Sequence, residues 1–247
     1  DYWLASMGYR REEVLGRPFA DFLTPASARL LREVGVPEFR RQGVRHNLLL
    51  QQVRKGGEVI DVLVSTSALR DQHGEIVHAL SSIVDITERK RLETQREYEN
   101  AILEAMAAGA PEDEILLRIV TAYQAMHPGM IPSILRVSAD GARLTRCIGP
   151  GLPEGYRRAV EGIAIGPGMC SCGSAAWTRA PTLVADIASD PLWRDYRDAA
   201  LEHGLAACWS FPILDSNGAA IGTFAQYYRE VRTPGADEIA GLERGSH

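Results

Sequence analysis

The chain has 247 residues, of which 45% are hydrophobic and 24% are charged, a composition ordinary for a folded protein of one or two domains. Its net charge of −5 argues against general nucleic-acid binding, which needs a basic surface that releases the counterions of phosphates. No apolar run reaches the roughly 18 residues of a membrane span, and no secretory signal opens the chain.

The cysteines all lie in the second half of the chain, at Cys147, Cys170, Cys172 and Cys208. A disulfide framework is typical of small secreted scaffolds, and this sequence resembles none of them. We therefore expect reduced thiols and a cytoplasmic location.

The first forty residues carry short helical signals. Thr24 and Pro25 favour a helix start, with Thr24 as the N-cap and Pro25 at the first helical position. Gly35 and Pro37 are expected to break or bend the helix that follows.

Three strands are predicted next, at residues 44–53, 59–69 and 76–84. The turns between them are short and rich in glycine, at residues 55–57 and 71–74. Consecutive strands with such turns form an antiparallel meander.

A long helix dense in charge is predicted at residues 87–106. Its clear aliphatic residues are few: Leu92, Ile102, Leu103 and Met106. A sparse apolar seam on a charged helix is typical of a linker or a weak dimer coil rather than of a buried core helix.

The second half begins with a strongly amphipathic helix at residues 111–127. The elements predicted after it are strands at 131–138 and 142–148, helices at 153–160 and 172–178, a strand at 182–184, a helix from 190 to about 203, and strands at 208–214 and 219–228. One more helix is predicted to begin at Thr233 and Pro234.

Several segments of the first half resemble the PAS domain family in order and spacing. They are Gly8-Tyr9, residues 12–17, Phe22-Leu23, residues 53–58 and residues 85–90. The resemblance implies a five-stranded antiparallel sheet with helices across one face, followed by a signalling helix. Because the match begins at about the third element of that fold, we expect the first two strands to be missing and the chain to be a piece of a longer protein.

Segments of the second half resemble the GAF domain family, as found in bacterial sensors with cyclic-di-GMP (GGDEF/EAL) or histidine kinase output domains. They are residues 172–177, 184–193, 207–213 and 218–223. The two resemblances imply an α+β fold with two domains, each an antiparallel sheet with flanking helices. The predicted domains are a PAS-like domain at 1–87, a helical linker at 88–108 and a GAF-like domain at 109–247 whose C-terminal helix is cut short.

The pair Cys170 and Cys172 is the most suggestive chemical feature. Cys172 is expected near a helix N-terminus, where the helix dipole favours the thiolate. Small residues that pack a helix on a sheet explain the pair, and redox or ligand sensing and a metal site are the alternatives. Structural zinc usually needs two spaced pairs, so Cys147 and Cys208 would have to converge on it.

A small-molecule pocket is a further hypothesis, because such pockets are mostly apolar with a few polar groups. The candidate lining residues are Cys172, Trp177, Trp193, Cys208, Trp209, Phe224 and Tyr227. Core packing explains the same aromatic residues, and Trp193, on a predicted surface helix, alternatively caps the pocket.

The competing enzyme hypothesis is a free methionine sulfoxide reductase, a GAF protein with a Cys-Gly motif that Cys172 and Gly173 resemble. Its chemistry needs a nucleophilic thiol and a resolving thiol close enough to form a disulfide. The stretch where that family places a further cysteine, residues 195–198, holds no thiol.

The chain lacks the residues that usually bind three cofactors found in PAS and GAF domains: flavin, bilin and haem. No cysteine stands at residues 16–23 to form a flavin adduct, and no cysteine is followed by histidine as bilin attachment requires. His46, His73 and His78 fall on predicted strands or a turn, not on the helix that supplies a haem ligand, and are expected at the surface. The cofactor is therefore left unknown.

The sequence favours a sensory module of a signal-transduction protein with no catalytic residues and no metal site. A small ligand or partner would shift the packing of one domain, and the linker helix would transmit the shift to an output domain within a homodimer. A dimerisation module without a ligand is the third hypothesis.

Overall fold

The computed structural model describes residues 2–235. The chain divides into two compact units, the first ending at Thr94 and the second beginning at Gln95. Each unit contains one antiparallel sheet with helices, which is the α+β class that the sequence predicts. Between residues 2 and 235 no helix combines the length and the apolar character needed to cross a bilayer.

The first unit has four short helices followed by a three-stranded sheet of order β1-β2-β3. The elements are α1 Tyr2–Met7, α2 Arg11–Val14, α3 Pro25–Leu30, α4 Val36–Gln42, β1 Val44–Val53, β2 Val59–Arg70 and β3 Ile76–Asp85. All pairings are antiparallel, so the predicted meander is confirmed.

Alternation along the strands builds the core of this unit, since successive side chains of a strand point to opposite faces. Leu48 and Leu50 of β1 are buried together with Ile60, Val62 and Val64 of β2. The helices cover this face with further buried apolar residues, namely Met7, Leu23 and Ala28.

Gly35 and Pro37 are expected to break or bend the helix, and the structure shows a local change of helical pitch at this point. Residues Leu31–Gly35 form a π-helical segment that joins α3 to α4, and Pro37, which has no N–H to donate to the preceding turn, stands just after this segment. Thr24 caps α3 as predicted, with its Oγ1 accepting a hydrogen bond from the Ser27 N–H.

The predicted linker helix is α5, Thr87–Ala107. Most of its residues are exposed, including Leu92, Leu103 and Met106, and Ala105 is the one residue of this helix that is fully buried.

The second unit has a five-stranded antiparallel sheet of order β5-β4-β8-β7-β6. Its elements are α6 Glu112–Met126, β4 Ile131–Val137, β5 Leu144–Ile148, α7 Glu154–Val160, α8 Cys170–Thr178, β6 Thr182–Val184, α9 Arg197–Glu202, β7 Ala207–Leu214 and β8 Ala220–Tyr228.

Both faces of this sheet are covered, so its central strands are buried on each side. Ile134 of β4 packs with Val120 of α6 on one face. Leu135, its neighbour in β4, packs on the opposite face in the main core, together with residues of α7 and α8. Candidate site residues on these strands therefore lie on one side of the sheet or on the other, according to the face to which each side chain points.

The helix predicted from residue 190 to about 203 consists of two pieces. Pro191–Trp193 form a single 3-10 turn capped by Asp190, and α9 follows after residues 194–196. The helix predicted from Thr233 lies mostly outside the described residues.

Candidate functional site

Helix α8 carries the cysteine pair into the core of the second unit. The helix begins at Cys170, whose φ of 39° lies in the left-handed region that disfavours residues with a side chain. Its residues Cys170 to Ala176 are all buried, and the helix ends at Arg179, again in a left-handed conformation. A helix this deeply buried packs mainly through small residues, which allow close approach to the sheet.

The thiol of Cys172 lies at the centre of a buried polar cluster. Its Sγ is 2.9 Å from Ser210 Oγ and 3.9 Å from the Tyr227 hydroxyl oxygen. Cys170 stands two residues before it in α8, and Cys208 stands two residues before Ser210 on the same face of β7. The sulfur is therefore surrounded by hydroxyls and further thiols, all of them buried.

A second chain of hydrogen bonds runs beside this cluster and links three elements. The Trp193 Nε1–H donates to Ser171 Oγ at 3.0 Å, and the Ser171 hydroxyl donates to the carbonyl oxygen of Cys208 at 3.3 Å. The start of α8 is thereby held both to β7 and to the 3-10 turn that contains Trp193.

The environment distinguishes the three thiols electrostatically. Hydrogen bonds from Cys170, then from Cys208, and further from Ser210 and Tyr227, hold the pKa of the Cys172 thiol well below its usual range despite burial. Cys170 donates a hydrogen bond to Cys172, and this bond together with burial raises the pKa of the Cys170 thiol. Burial is the largest cause that raises the pKa of the Cys208 thiol. Cys172 is therefore the first thiol of the cluster to ionise.

The predicted site residues fall into three places. Cys170, Cys172, Trp193, Cys208 and Tyr227 are buried together on the α8 side of the sheet. The remaining three lie elsewhere: Trp209 and Phe224 pack on the opposite face of the sheet, and Trp177 is 58% exposed at the end of α8. The structure thus does not bring all the candidates to one pocket.

The surface position predicted for Trp193 is wrong, since this side chain is 1% exposed. The cause is the division of the predicted helix, because the 3-10 turn at Pro191–Trp193 directs the indole inward to Ser171. Its ring also meets that of Tyr227 edge to face.

Three members of the cluster, Ser171, Ser210 and Tyr156, were missed from the sequence. Ser210 could have been found, because it stands two residues after Cys208 on a strand and must share its face. Tyr156 comes from α7 and meets the Tyr227 ring edge to face at a centroid distance of 5.5 Å. No sequence pattern connects α7 to this cluster.

Cys147 is buried but chemically different from the other thiols. Burial raises its pKa to about 12. It lines a surface cleft of about 460 Å³ between β5, α6 and α7, and a second cleft of about 660 Å³ lies near Met130 and Arg229. Cys172 lines neither cleft.

The residues considered for cofactors and metals are placed as follows. His46, His73 and His78 are all exposed, on β1, in the β2–β3 turn and on β3. Within residues 2–235, no group of three or more His, Cys, Asp or Glu side chains has the arrangement of a metal site.

A second candidate region is the junction between β3 and α5 in the first unit. The Asp85 carboxylate accepts the Thr87 N–H at 2.9 Å and pairs with Arg54 at 3.2 Å. Thr87 Oγ1 in turn accepts the Asp61 N–H of β2 at 2.9 Å, and Lys90 pairs with the Asp61 carboxylate at 3.1 Å. The first turn of α5 is therefore fixed to the sheet by polar contacts.

Comparison with known families agrees with this division of the chain. Residues 1–88 match the PAS domain family, and residues 109–244 match the GAF domain family. A curated relative, the methyl sulfide methyltransferase-associated sensor of Methanosarcina acetivorans, is 36% identical over 193 residues. The match covers 78% of this chain and 19% of the relative, so the chain spans about a fifth of that protein's length.

Two solved structures are similar to part of the chain. One is the free methionine-R-sulfoxide reductase of Neisseria meningitidis in complex with its substrate, with 15% identity and a TM-score of 0.49, covering 63% of this chain and 83% of that one. The other is the GAF domain of a phosphoenolpyruvate-protein phosphotransferase from Coxiella burnetii, with 16% identity and a TM-score of 0.48, covering 63% and 88%.

We expect Ser171→Ala to lower the free energy of unfolding of the second unit by about 1–3 kcal/mol, because it leaves the buried Trp193 N–H without an acceptor. Denaturant unfolding followed by tryptophan fluorescence measures the change. Ser174→Ala is the matched control, since the Ser174 hydroxyl is buried in the same helix without a partner. Equal losses in the two variants would contradict the role given to Ser171.

We expect Asp85→Asn to loosen the first turn of α5. Burial raises the pKa of Asp85, but hydrogen bonds from Thr87 and the charge of Arg54 outweigh it and the net shift is downward. The ionised carboxylate therefore stabilises the folded state above its ordinary pKa, and this contribution disappears as the pH falls through the lowered value.

The measurement is hydrogen exchange of peptides that cover residues 86–92. At neutral pH the variant should exchange about fivefold faster, as expected for a cap worth ~1 kcal/mol, and in acid the difference from the wild type should vanish. Asp71→Asn is the control, since Asp71 accepts two backbone N–H groups in the β2–β3 turn, away from α5. A difference that persists unchanged in acid would refute the assignment.

Proposed function

Because the chain belongs to the GAF domain family and has a PAS domain ahead of its GAF domain, we propose that it is the sensory part of a signal-transduction protein. The PAS domain would occupy residues 1–87, the transmitting helix 88–108 and the GAF domain 109–247. The far greater length of the curated sensor relative supports the idea that such a module works beside further domains.

The observation that carries this proposal is the polar junction at the start of α5. A sensor needs a path from a sheet to a helix, and here Asp61 of β2 is bound to both Thr87 and Lys90 of α5. Any ligand or partner that shifts the strands of the first unit would therefore move the first turn of the helix.

The sensing centre that we propose for the GAF domain is the cluster around Cys172. Buried cysteines pack as small apolar residues in many cores, but here the Cys172 thiol meets the buried hydroxyls of Ser210 and Tyr227 as well. Such a cluster can respond to a small polar ligand or to a change in the state of a thiol.

The output domain that we propose for the longer protein follows from the resemblance to GAF domains of bacterial sensors. Domains for cyclic-di-GMP turnover or histidine kinase domains are the outputs that accompany GAF domains of this type. The chain has no residues that we assign to such catalysis.

Native mass spectrometry of the purified chain tests the ligand-binding part of the proposal. A small molecule that co-purifies, and is lost on unfolding, supports the sensor function. A chain that is monomeric in light scattering, carries no molecule and binds none in titrations would refute it. A dimer without any ligand would instead favour the third hypothesis, a dimerisation module.

A thiol enzyme of the methionine sulfoxide reductase type is the second candidate, and one observation favours it. Cys208 stands two residues from Ser210 on β7, and Ser210 Oγ lies 2.9 Å from Cys172 Sγ, which supports Cys208 as a candidate resolving thiol although none stands at residues 195–198. Against it, Cys172 is 1% exposed and lines neither cleft. We expect no reduction of free methionine sulfoxide by the wild type; activity that disappears in Cys172→Ser would establish the enzyme.

We expect the chain to be a dimer through α5 and Leu103→Glu to make it a monomer, because Leu103 is 61% exposed on this helix and a charge there opposes burial. Light scattering coupled to gel filtration measures the mass. Leu201→Glu is the control, since Leu201 is 41% exposed on α9 and should leave the dimer intact. If both variants remain dimeric, α5 does not form the interface.

A further inference from the structure

We propose that Cys172 and Cys208 form a reversible disulfide in the GAF core when the chain meets hydrogen peroxide, so that this centre senses peroxide directly. The inference rests on the proposed sensory function and gives its GAF domain a stimulus of defined chemistry.

The docking of α8 on β7 brings these two residues together. Cys208 and Ser210 stand two residues apart on β7 and point to the same face. Ser171 of α8 bonds to the Cys208 carbonyl at 3.3 Å, and Cys172 lies 2.9 Å from Ser210 Oγ. The Cys172 sulfur is therefore held over the strand beside Cys208.

Cys208 is a better partner for Cys172 than Cys170 is. Cys170 is also close to Cys172, but a disulfide between residues two apart in one helical turn closes a small ring and would distort the start of α8. Cys208 approaches from the facing strand, as disulfide geometry requires. Cys147 is not a partner, because it stands on β5, which β4 and β8 separate from β7 in the sheet.

Cys172 is the thiol that reacts first. Peroxide is attacked by the thiolate, and the polar hydrogens of Cys170, Cys208, Ser210 and Tyr227 favour ionisation at Cys172. Cys208, whose thiol stays protonated, then acts as the resolving residue.

The chemistry balances with peroxide as the only oxidant. The Cys172 thiolate attacks one oxygen, an S–O bond forms, the O–O bond breaks, and hydroxide leaves and becomes water with the proton that Cys172 released. The Cys208 sulfur then attacks the sulfenic sulfur, an S–S bond forms, and the departing hydroxide takes the Cys208 proton as a second water. A cellular dithiol restores both thiols by exchange.

Both thiols are buried, so peroxide reaches them when the first turn of α8 lifts. That turn begins at Cys170 with a φ of 39°, a strained backbone conformation for a residue with a side chain. It follows Gly168, whose φ of 76° makes the preceding loop a point where the chain can bend. Opening this turn must break the contacts of Ser171 with Cys208 and Trp193, so we expect slow oxidation of the folded chain.

The new bond would also rearrange the cluster. Drawing Cys172 toward Cys208 separates its sulfur from Ser210 and shifts Ser171, the acceptor of the Trp193 indole N–H. Trp193 therefore reports the oxidation through its fluorescence.

The experiment treats the whole chain with hydrogen peroxide, quenches it with N-ethylmaleimide under denaturing conditions, and maps linked peptides by mass spectrometry. We expect the loss of two alkylatable thiols, a peptide pair joined through Cys172 and Cys208, a change in tryptophan fluorescence, and full reversal by dithiothreitol. Cys172→Ser and Cys208→Ser should each abolish the linked pair. Cys147→Ser is the matched control, a buried cysteine of the same core whose loss should leave the linked pair unchanged.

Circular dichroism of each variant shows whether it folds, and Cys172→Ala and Cys208→Ala replace any serine variant that does not. A bond between Cys170 and Cys172, oxidation of Cys172 without a bond, or no loss of thiols would overturn the inference. These outcomes leave ligand binding and the dimer untouched, so failure here is distinguishable from failure of the sensor proposal.

Discussion

The absence of a side chain at Gly173 is the constraint on which the GAF centre depends. A Cβ atom there would lie 2.5 Å from the carbonyl oxygen of Ala164 and 2.7 Å from the Met169 Cβ, so any larger residue would displace the helix. Because the backbone approaches so closely, α8 packs directly against residues 163–169, the segment that leads into it. The helix held in this way carries the Cys172 thiol, which contacts Ser210 of β7.

The same physical device recurs in the first unit, where short polar side chains fix a helix to a sheet. Thr87 Oγ1 accepts the Asp61 N–H of β2, and Asp85 accepts the Thr87 N–H. Short side chains have few rotamers, so they transmit a displacement that long flexible ones would absorb. In the second unit Ser171 has the corresponding position between β7 and Trp193. Each unit therefore has a stiff polar contact at the place where a helix begins.

The sequence predicted the elements well because their signals are local. Glycine-rich turns set the limits of the strands of the meander. The site was harder, because its members meet only after five strands have paired. The predicted pocket contained both Cys208 and Trp209, although neighbouring residues on a strand point to opposite faces of the sheet. The candidate resolving thiol, Cys208, lies outside residues 195–198, where the resemblance to the reductases predicts one. Trp193 was misplaced because nothing in the sequence shows that its helix is interrupted.

Burial of Cys172 bears differently on the two chemical functions considered. A turnover enzyme must admit each substrate molecule to its thiolate, and a sulfur that is 1% exposed in a packed core meets that need poorly. A sensor needs one event per cycle, and a protein interior is packed so densely that a new S–S bond cannot form without moving its neighbours. The Cys172 neighbourhood joins α8, β7, β8 and the Trp193 turn, so a bond made there changes all four at once. The burial of Cys172 that hinders repeated enzyme turnover would therefore also make oxidation of this thiol rearrange the surrounding helix and strands.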